Sequence, residues 1–196
     1  MKILLLAPLS EKYYTGYYLI DALKDVAQAQ VESFDYRQRA SEVGVQHMNI
    51  LLTDFIDWFK PDLILSMKAE LVHPELIKQQ TAITALWHPD YENPLPEWLV
   101  RLADVYDYFF TVCKGMTEEI HVGDHSIKPL WLPEAYCDFR IKPVNVSGVE
   151  KEKYGSDVAF IGTDKPRPVK VLERVVAEGF NLKIWGAQVN NGWKNA

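Results

Sequence analysis

Two strand–turn–helix series follow one another along this chain, and the second, opening at Ser156-Asp157-Val158-Ala159-Phe160-Ile161-Gly162, is far shorter than the first. The first runs from Lys2 to about Pro133 and alternates short apolar runs with amphipathic stretches. Strands buried on both faces, joined by helices, make a mostly parallel sheet covered on each side. The second series supplies a strand at 157–161, a helix at 168–178 and a strand at 182–185. A unit that small cannot bury both faces of its own sheet. The expected fold class is therefore α/β: a Rossmann-like doubly wound domain over 1–150, followed over 151–196 by the beginning of a second Rossmann-like βαβ unit.

Length and charge narrow the possibilities. The 196 residues hold one full domain and a remainder. With a net charge of −6 and a pI near 5.4, the chain lacks the broad basic field that a nucleic-acid duplex demands. The apolar start, Met1 to Pro8, carries one basic residue and is followed by Glu11-Lys12-Tyr13-Tyr14 without a small-x-small cleavage site, so it reads as a buried first strand. No run approaches the roughly 20 apolar residues of a membrane span. Cys113 and Cys137 read as reduced thiols, and the chain as cytoplasmic.

In the first series, strands are expected at 2–7, 30–34, 63–67, 82–87, 108–112 and 127–132. Helices are expected from Gly16, over Met48 to Phe59, at 74–79, 96–103 and 115–120, and 135–154 reads as a linker. Ligands of doubly wound sheets bind at the carboxyl ends of strands where the strand order reverses, which in the order 3-2-1-4-5-6 lies between strands one and four. That selects the loop 8–15, with Ser10 and Tyr13, and the loop 88–95 after Trp87, with His88, Asp90, Tyr91 and Glu92. An imidazole, two carboxylates and aromatic rings suit proton transfer to or from a hydroxyl beside a sugar-stacking surface.

The first loop has no glycine before Gly16, so a dinucleotide fingerprint is absent. After the strand at 157–161, Gly162, Thr163, Lys165 and Arg167 place a glycine, a hydroxyl and two cations at a helix start, which is a seat for a diphosphate or an ordinary βα turn.

The order of segments Phe59-Lys60-Pro61-Asp62-Leu63-Ile64-Leu65, Trp87-His88-Pro89-Asp90, Tyr106-Asp107-Tyr108-Phe109-Phe110-Thr111, Leu132-Pro133-Glu134-Ala135, the Ser156 to Gly162 stretch and Lys183-Ile184-Trp185-Gly186 resembles the spore-maturation CgeB-like glycosyltransferases. The resemblance implies a GT-B architecture: an acceptor domain, a donor domain, and sugar transfer from a nucleotide diphosphate sugar without a further cofactor. It implies His88 or Asp90 as base or acceptor-orienting group, and Ser10, Tyr13, Trp87, Tyr91 and Glu134 around the substrate. Gly162, Thr163, Lys165 and Arg167 then lie near the leaving diphosphate. Members of that family continue past the position of Gly186, so a chain ending at Ala196 is expected to be an incomplete donor domain and, alone, a poor transferase.

Three functions follow: a glycosyltransferase or part of one, a non-enzymatic module binding a glycan or a protein, and a nucleotide-sugar epimerase. The strand at 182–185 or its neighbour would leave an exposed edge through which copies of the chain could pair. Other polar and aromatic residues have plainer readings. His121 and His125 flank Asp124 at a glycine turn with no third ligand, so a solvated turn is expected and no metal. His73 and His47 read as helix-start residues, Trp58 and Trp131 as core, Trp98 as core or ligand contact, and Glu92 and Glu134 as loop acids. His88 itself has a structural alternative, with its ring satisfied by backbone groups at a strand end.

Overall fold

The computed structural model describes residues 1–9, 15–92, 94–116, 118–135, 142–162 and 166–186. Two compact units divide at 141/142. The first contains, in order, β1 (Lys2–Leu6), α1 (Thr15–Asp25), β2 (Gln30–Phe34), α2 (Tyr36–Val43), α3 (Val45–Phe59), β3 (Leu63–Met67) and α4 (Pro74–Lys78). It continues with β4 (Ile83–His88), α5 (Glu97–Ala103), β5 (Tyr108–Thr111), β6 (Ile120–Val122), β7 (His125–Ile127) and β8 (Leu130–Trp131).

Six of these strands form one parallel sheet in the order β2-β1-β3-β4-β5-β8, a Rossmann-like α/β arrangement. Side chains alternate across it, as the twofold period of a strand requires. Leu4, Leu6, Ile64, Leu86 and Phe109 face the larger core, which α3, α4 and α5 close with Leu52, Ile56, Ile77, Leu99 and Val100. Leu5, Ala7, Met67 and Trp87 face the other way, against Leu19 and Ile20 of α1.

Several expectations are corrected. The strand order is not 3-2-1-4-5-6: β1 lies between β2 and β3, so the order reverses between β1 and β3. Residues 36–43 form the unforeseen helix α2, because Asp35 caps its first turn through Arg37 and Gln38 N–H groups. Gly44, with φ of 83°, then turns the chain straight into α3, a backbone conformation that favours glycine. The expected helix at 115–120 is absent among the described residues, and of the expected sixth strand at 127–132 only Leu130–Trp131 joins the sheet, as β8, while Ile127 ends the antiparallel hairpin β6–β7. Trp58 is 67% exposed and Trp131 is also exposed, so neither belongs to the core. Trp58 falls off the buried stripe Met48, Leu52, Ile56 and Phe59 and packs edge-on against Phe55.

The second unit holds α6 (Gly148–Tyr154), β9 (Val158–Ile161), α7 (Pro166–Ala177) and β10 (Leu182–Trp185). β9 and β10 pair in parallel around α7, a single βαβ unit. α6 occupies residues read from sequence as linker; Ser147 and Glu150 form a reciprocal capping box that starts it.

Among the described residues, no helix is long and apolar enough to cross a membrane.

Candidate functional site

The carboxyl edge of the large sheet gathers its polar groups at the reversal between β1 and β3. Asp35 joins two elements there: its Oδ1 accepts from the Arg37 and Gln38 N–H groups, and its Oδ2 accepts from Leu9 N–H at 2.6 Å. The cap of α2 thereby also anchors the chain leaving β1. One residue on, the buried Tyr36 hydroxyl accepts from Ala69 N–H at 3.1 Å and lies 2.7 Å from Glu70 Oε2 and 3.1 Å from the Met67 carbonyl. Its single proton goes to the nearer carboxylate. Burial pushes the phenol far above its ordinary range, and the Glu70 charge pushes it the same way.

Glu70 also receives Arg37 Nε at 2.5 Å. Burial acts to raise the Glu70 carboxyl, but the hydrogen bonds from Arg37 and Tyr36 outweigh it and hold the group below its usual value. Between Met67 and Glu70 the backbone is strained. Lys68 and Ala69 both have positive φ, 65° and 57°, in a region that costs a residue with a side chain about 1–3 kcal/mol. The Ala69 N–H bond to Tyr36 and the Lys68 N–H bond to the Trp87 carbonyl hold them there. The consequence is a Lys68 side chain whose ammonium meets Asp90 at 2.5 Å.

Arg37, Met67, Lys68 and Asp90 border one crevice of about 180 Å³, lined also by Pro8, Thr15, Pro89 and Glu134. It is smaller than the roughly 300–1,000 Å³ of a drug-sized pocket and so has room for only a small group. Pro8 and Thr15 come from the first sequence-selected loop, Pro89 and Asp90 from the second. Arg37, Lys68 and Glu70 escaped sequence reasoning because the assumed strand order placed the end of strand three away from the reversal. The Asp35-Tyr36-Arg37 cap after β2 was the signal that could have revealed them.

His88 does not line the crevice. It is the last residue of β4 and points into the larger core side, where its ring is 2% exposed and meets Trp98 of α5 edge-on at 6.2 Å. The backbone does not satisfy it. Among the described residues neither ring nitrogen has a hydrogen-bond partner, and Glu92 Oε2, at 3.7 Å from Nε2, is too distant for a hydrogen bond. A buried polar atom left unpaired costs about 1–3 kcal/mol. Burial lowers the His88 pKa, against the pull of Glu92 and then Asp90. Glu92 is thus partly buried against the imidazole rather than a freely solvated loop acid.

The remaining candidates are distributed as follows. Trp87 is buried on the α1 side, its indole N–H donating to the Leu132 carbonyl, so its ring is not a stacking surface for a ligand. Tyr91 is 74% exposed, and Glu134 lies on the crevice wall. Trp98 is half-exposed beside His88. Ser10, Tyr13, Thr163, Lys165, the Arg167 side chain and Cys137 lie outside the described residues; Cys113 is a buried free thiol. Gly162 directly follows β9, and its N–H is engaged by the Trp185 carbonyl at 2.9 Å. His125 Nδ1 lies 2.9 Å from Asp104, which fastens the β6–β7 hairpin to the end of α5. His73 precedes α4 without a side-chain capping bond, and His47 sits in the first turn of α3. Among the described residues, no group of three or more His, Cys, Asp or Glu side chains could hold a metal ion.

Neither a scan against protein-family models nor a search of curated proteins returns a match to this chain.

Proposed function

We propose that this chain is a glycosyltransferase of the CgeB-like kind, or a portion of one, and that the crevice receives the hydroxyl-bearing acceptor. The observation that carries this reading is the position and make-up of the crevice. It sits at the carboxyl edge beside the topological reversal, where open α/β sheets bind ligands. Its polar groups are fixed in advance by the Arg37–Glu70 and Lys68–Asp90 pairs and by the strained turn at Lys68 and Ala69. Such preorganisation aligns a hydroxyl without further ordering cost.

Asp90, half-exposed on the crevice wall, is the group that would orient or accept from that hydroxyl, and Glu134 lines the same crevice. Tyr91, exposed beside Asp90, supplies an aromatic surface of the type that sugars stack on. The βαβ unit of β9, α7 and β10 is the donor-side element of this reading. The donor is then a nucleotide diphosphate sugar.

A second reading rests on one observation. Both described cations on the crevice wall, Arg37 and Lys68, are already paired with carboxylates of the same chain. Walls whose cations are already committed suit recognition of a neutral polyol through hydrogen bonds without proton transfer, the behaviour of a glycan-binding module.

One experiment separates the two. The chain is incubated with uridine, guanosine and thymidine diphosphate sugars and a panel of mono- and disaccharides, with saturation-transfer NMR reporting binding and nucleoside diphosphate release reporting turnover. Turnover that falls at least tenfold in Asp90→Asn, about 1.4 kcal/mol of barrier, supports the transferase. Saccharide binding lost in Lys68→Met, with no nucleotide diphosphate sugar bound in any sample, supports the binding module. Absence of saturation transfer from any sugar overturns both.

A further inference from the structure

Among the described residues, three buried side-chain polar atoms lack a hydrogen-bond partner, and all three are in one place: Nδ1 and Nε2 of His88 and Oε2 of Glu92. Elsewhere in the same core the buried polar groups are satisfied. Tyr106 donates to Ser66 Oγ, Asn49 bonds the Val45 and Leu71 carbonyls and accepts from His73 N–H, and Tyr36 is bonded as described above. The exception is therefore local. A single proton placed between Nε2 and Oε2 would satisfy two of the three atoms with one charge-assisted bond.

The two partners differ in freedom. His88 is fixed in the β4 ladder opposite Thr111 and backed by the Trp98 ring. Glu92 is four residues on, in the chain between β4 and α5, and its side chain is about one-third exposed. To shorten 3.7 Å to the length of a charge-assisted bond, Glu92 must approach by about 0.9 Å. Asp90, which pairs with Lys68 on the crevice wall, lies midway along the segment that moves.

We propose that His88 and Glu92 form a proton-operated latch: a proton taken from solvent onto His88 draws Glu92 onto the imidazolium and shifts the intervening residues 89–91 at the crevice. The charge of the pair changes from −1 to zero. The charged groups acting on the ring are Glu92 and Asp90 from its own loop, which favour the proton, Lys68 from the turn after β3, which opposes it, and Glu70 from the same turn, which favours it. Trp98 of α5 packs against the ring without charge. The latch is open at neutral pH and closes on acidification. The inference does not depend on what the crevice binds.

NMR titration of the 15N-labelled chain from about pH 8 to about pH 5 tests it. The His88 ring nitrogens and the Asp90 and Tyr91 amides should titrate with one midpoint, below the ordinary histidine value of 6.5. In Glu92→Gln that midpoint should fall by about half a unit or more, an affinity for the proton weaker by about threefold, and the amide shifts should vanish. Asp90 and Tyr91 amides that stay flat through the His88 transition overturn the latch, as does an unchanged midpoint in Glu92→Gln. Should that variant lose its folded spectrum, the common or separate midpoints in the unmodified chain decide the matter.

Discussion

Tyr36 makes the turn after β3 possible. Its hydroxyl serves the Ala69 N–H on one side and Glu70 on the other, so a strained two-residue segment has somewhere to attach. Tyr36→Phe keeps the ring packing and removes only those bonds, leaving polar atoms dry. Urea denaturation near pH 7 should show a loss of about 1–3 kcal/mol. The pH dependence has a definite sign. The folded-state pKa of Glu70 is depressed below the ordinary 4.5, so the stability it contributes is present above that value and is lost as pH falls through the folded pKa. The deficit of Tyr36→Phe should accordingly shrink in acid, and a deficit that stays constant to low pH would separate Tyr36 from Glu70. His88 runs in the same direction for a different reason: burial depresses its pKa, the unfolded chain takes up the proton first, and stability falls as pH drops below about 6.5.

At the scale of elements, two glycines fix the end of the small sheet. Gly186, with φ of 149°, closes β10 so tightly on β9 that a Cβ there would lie 1.9 Å from the Gly162 carbonyl oxygen. The obstacle is backbone, which cannot rotate away. Gly186→Ala should cost about 2–3 kcal/mol and broaden or displace the β9 and β10 amide signals in an NMR spectrum, while those of β1, β3 and β4 keep their positions. Unchanged β9 and β10 signals would show that the strand ends separate at little cost. A different logic governs the start of α1. Gly16 is buried against Ala7, Pro8 and Leu9, so the first glycine after β1 serves close helix–strand packing.

Across the whole molecule, burial is unequal. The central strands of the large sheet carry Leu4, Leu5, Leu6, Ile64 and Leu86 with essentially no exposure, whereas Leu172 and Leu182 are the described buried side chains of the second unit. Local opening follows buried apolar contact. Hydrogen exchange should therefore leave the amides of β1, β3 and β4 protected longest and release those of β9 and β10 at least tenfold sooner. Equal protection in both sheets would mean that surfaces now exposed in the second unit, such as Ile161 and Phe180, are covered in solution.

Much of this architecture was legible in the chain. β2 and β3 fall at the residues expected of them because runs such as Leu63 to Met67 are apolar and bounded by Lys60-Pro61-Asp62, and α3 follows from the spacing of Met48, Leu52, Ile56 and Phe59. Local pattern and turn chemistry were sufficient there. The loop holding Asp90 was legible too, since it follows an apolar strand. Strand order was not, because periodicity records which face of a strand is buried and nothing about its neighbour. That choice placed Lys68 and Glu70 at the reversal and gave Asp90 its partner. It also left His88 and Glu92 facing each other without hydrogen bonds, for a residue in sequence shows its chemistry while only the packed chain decides what stands within reach.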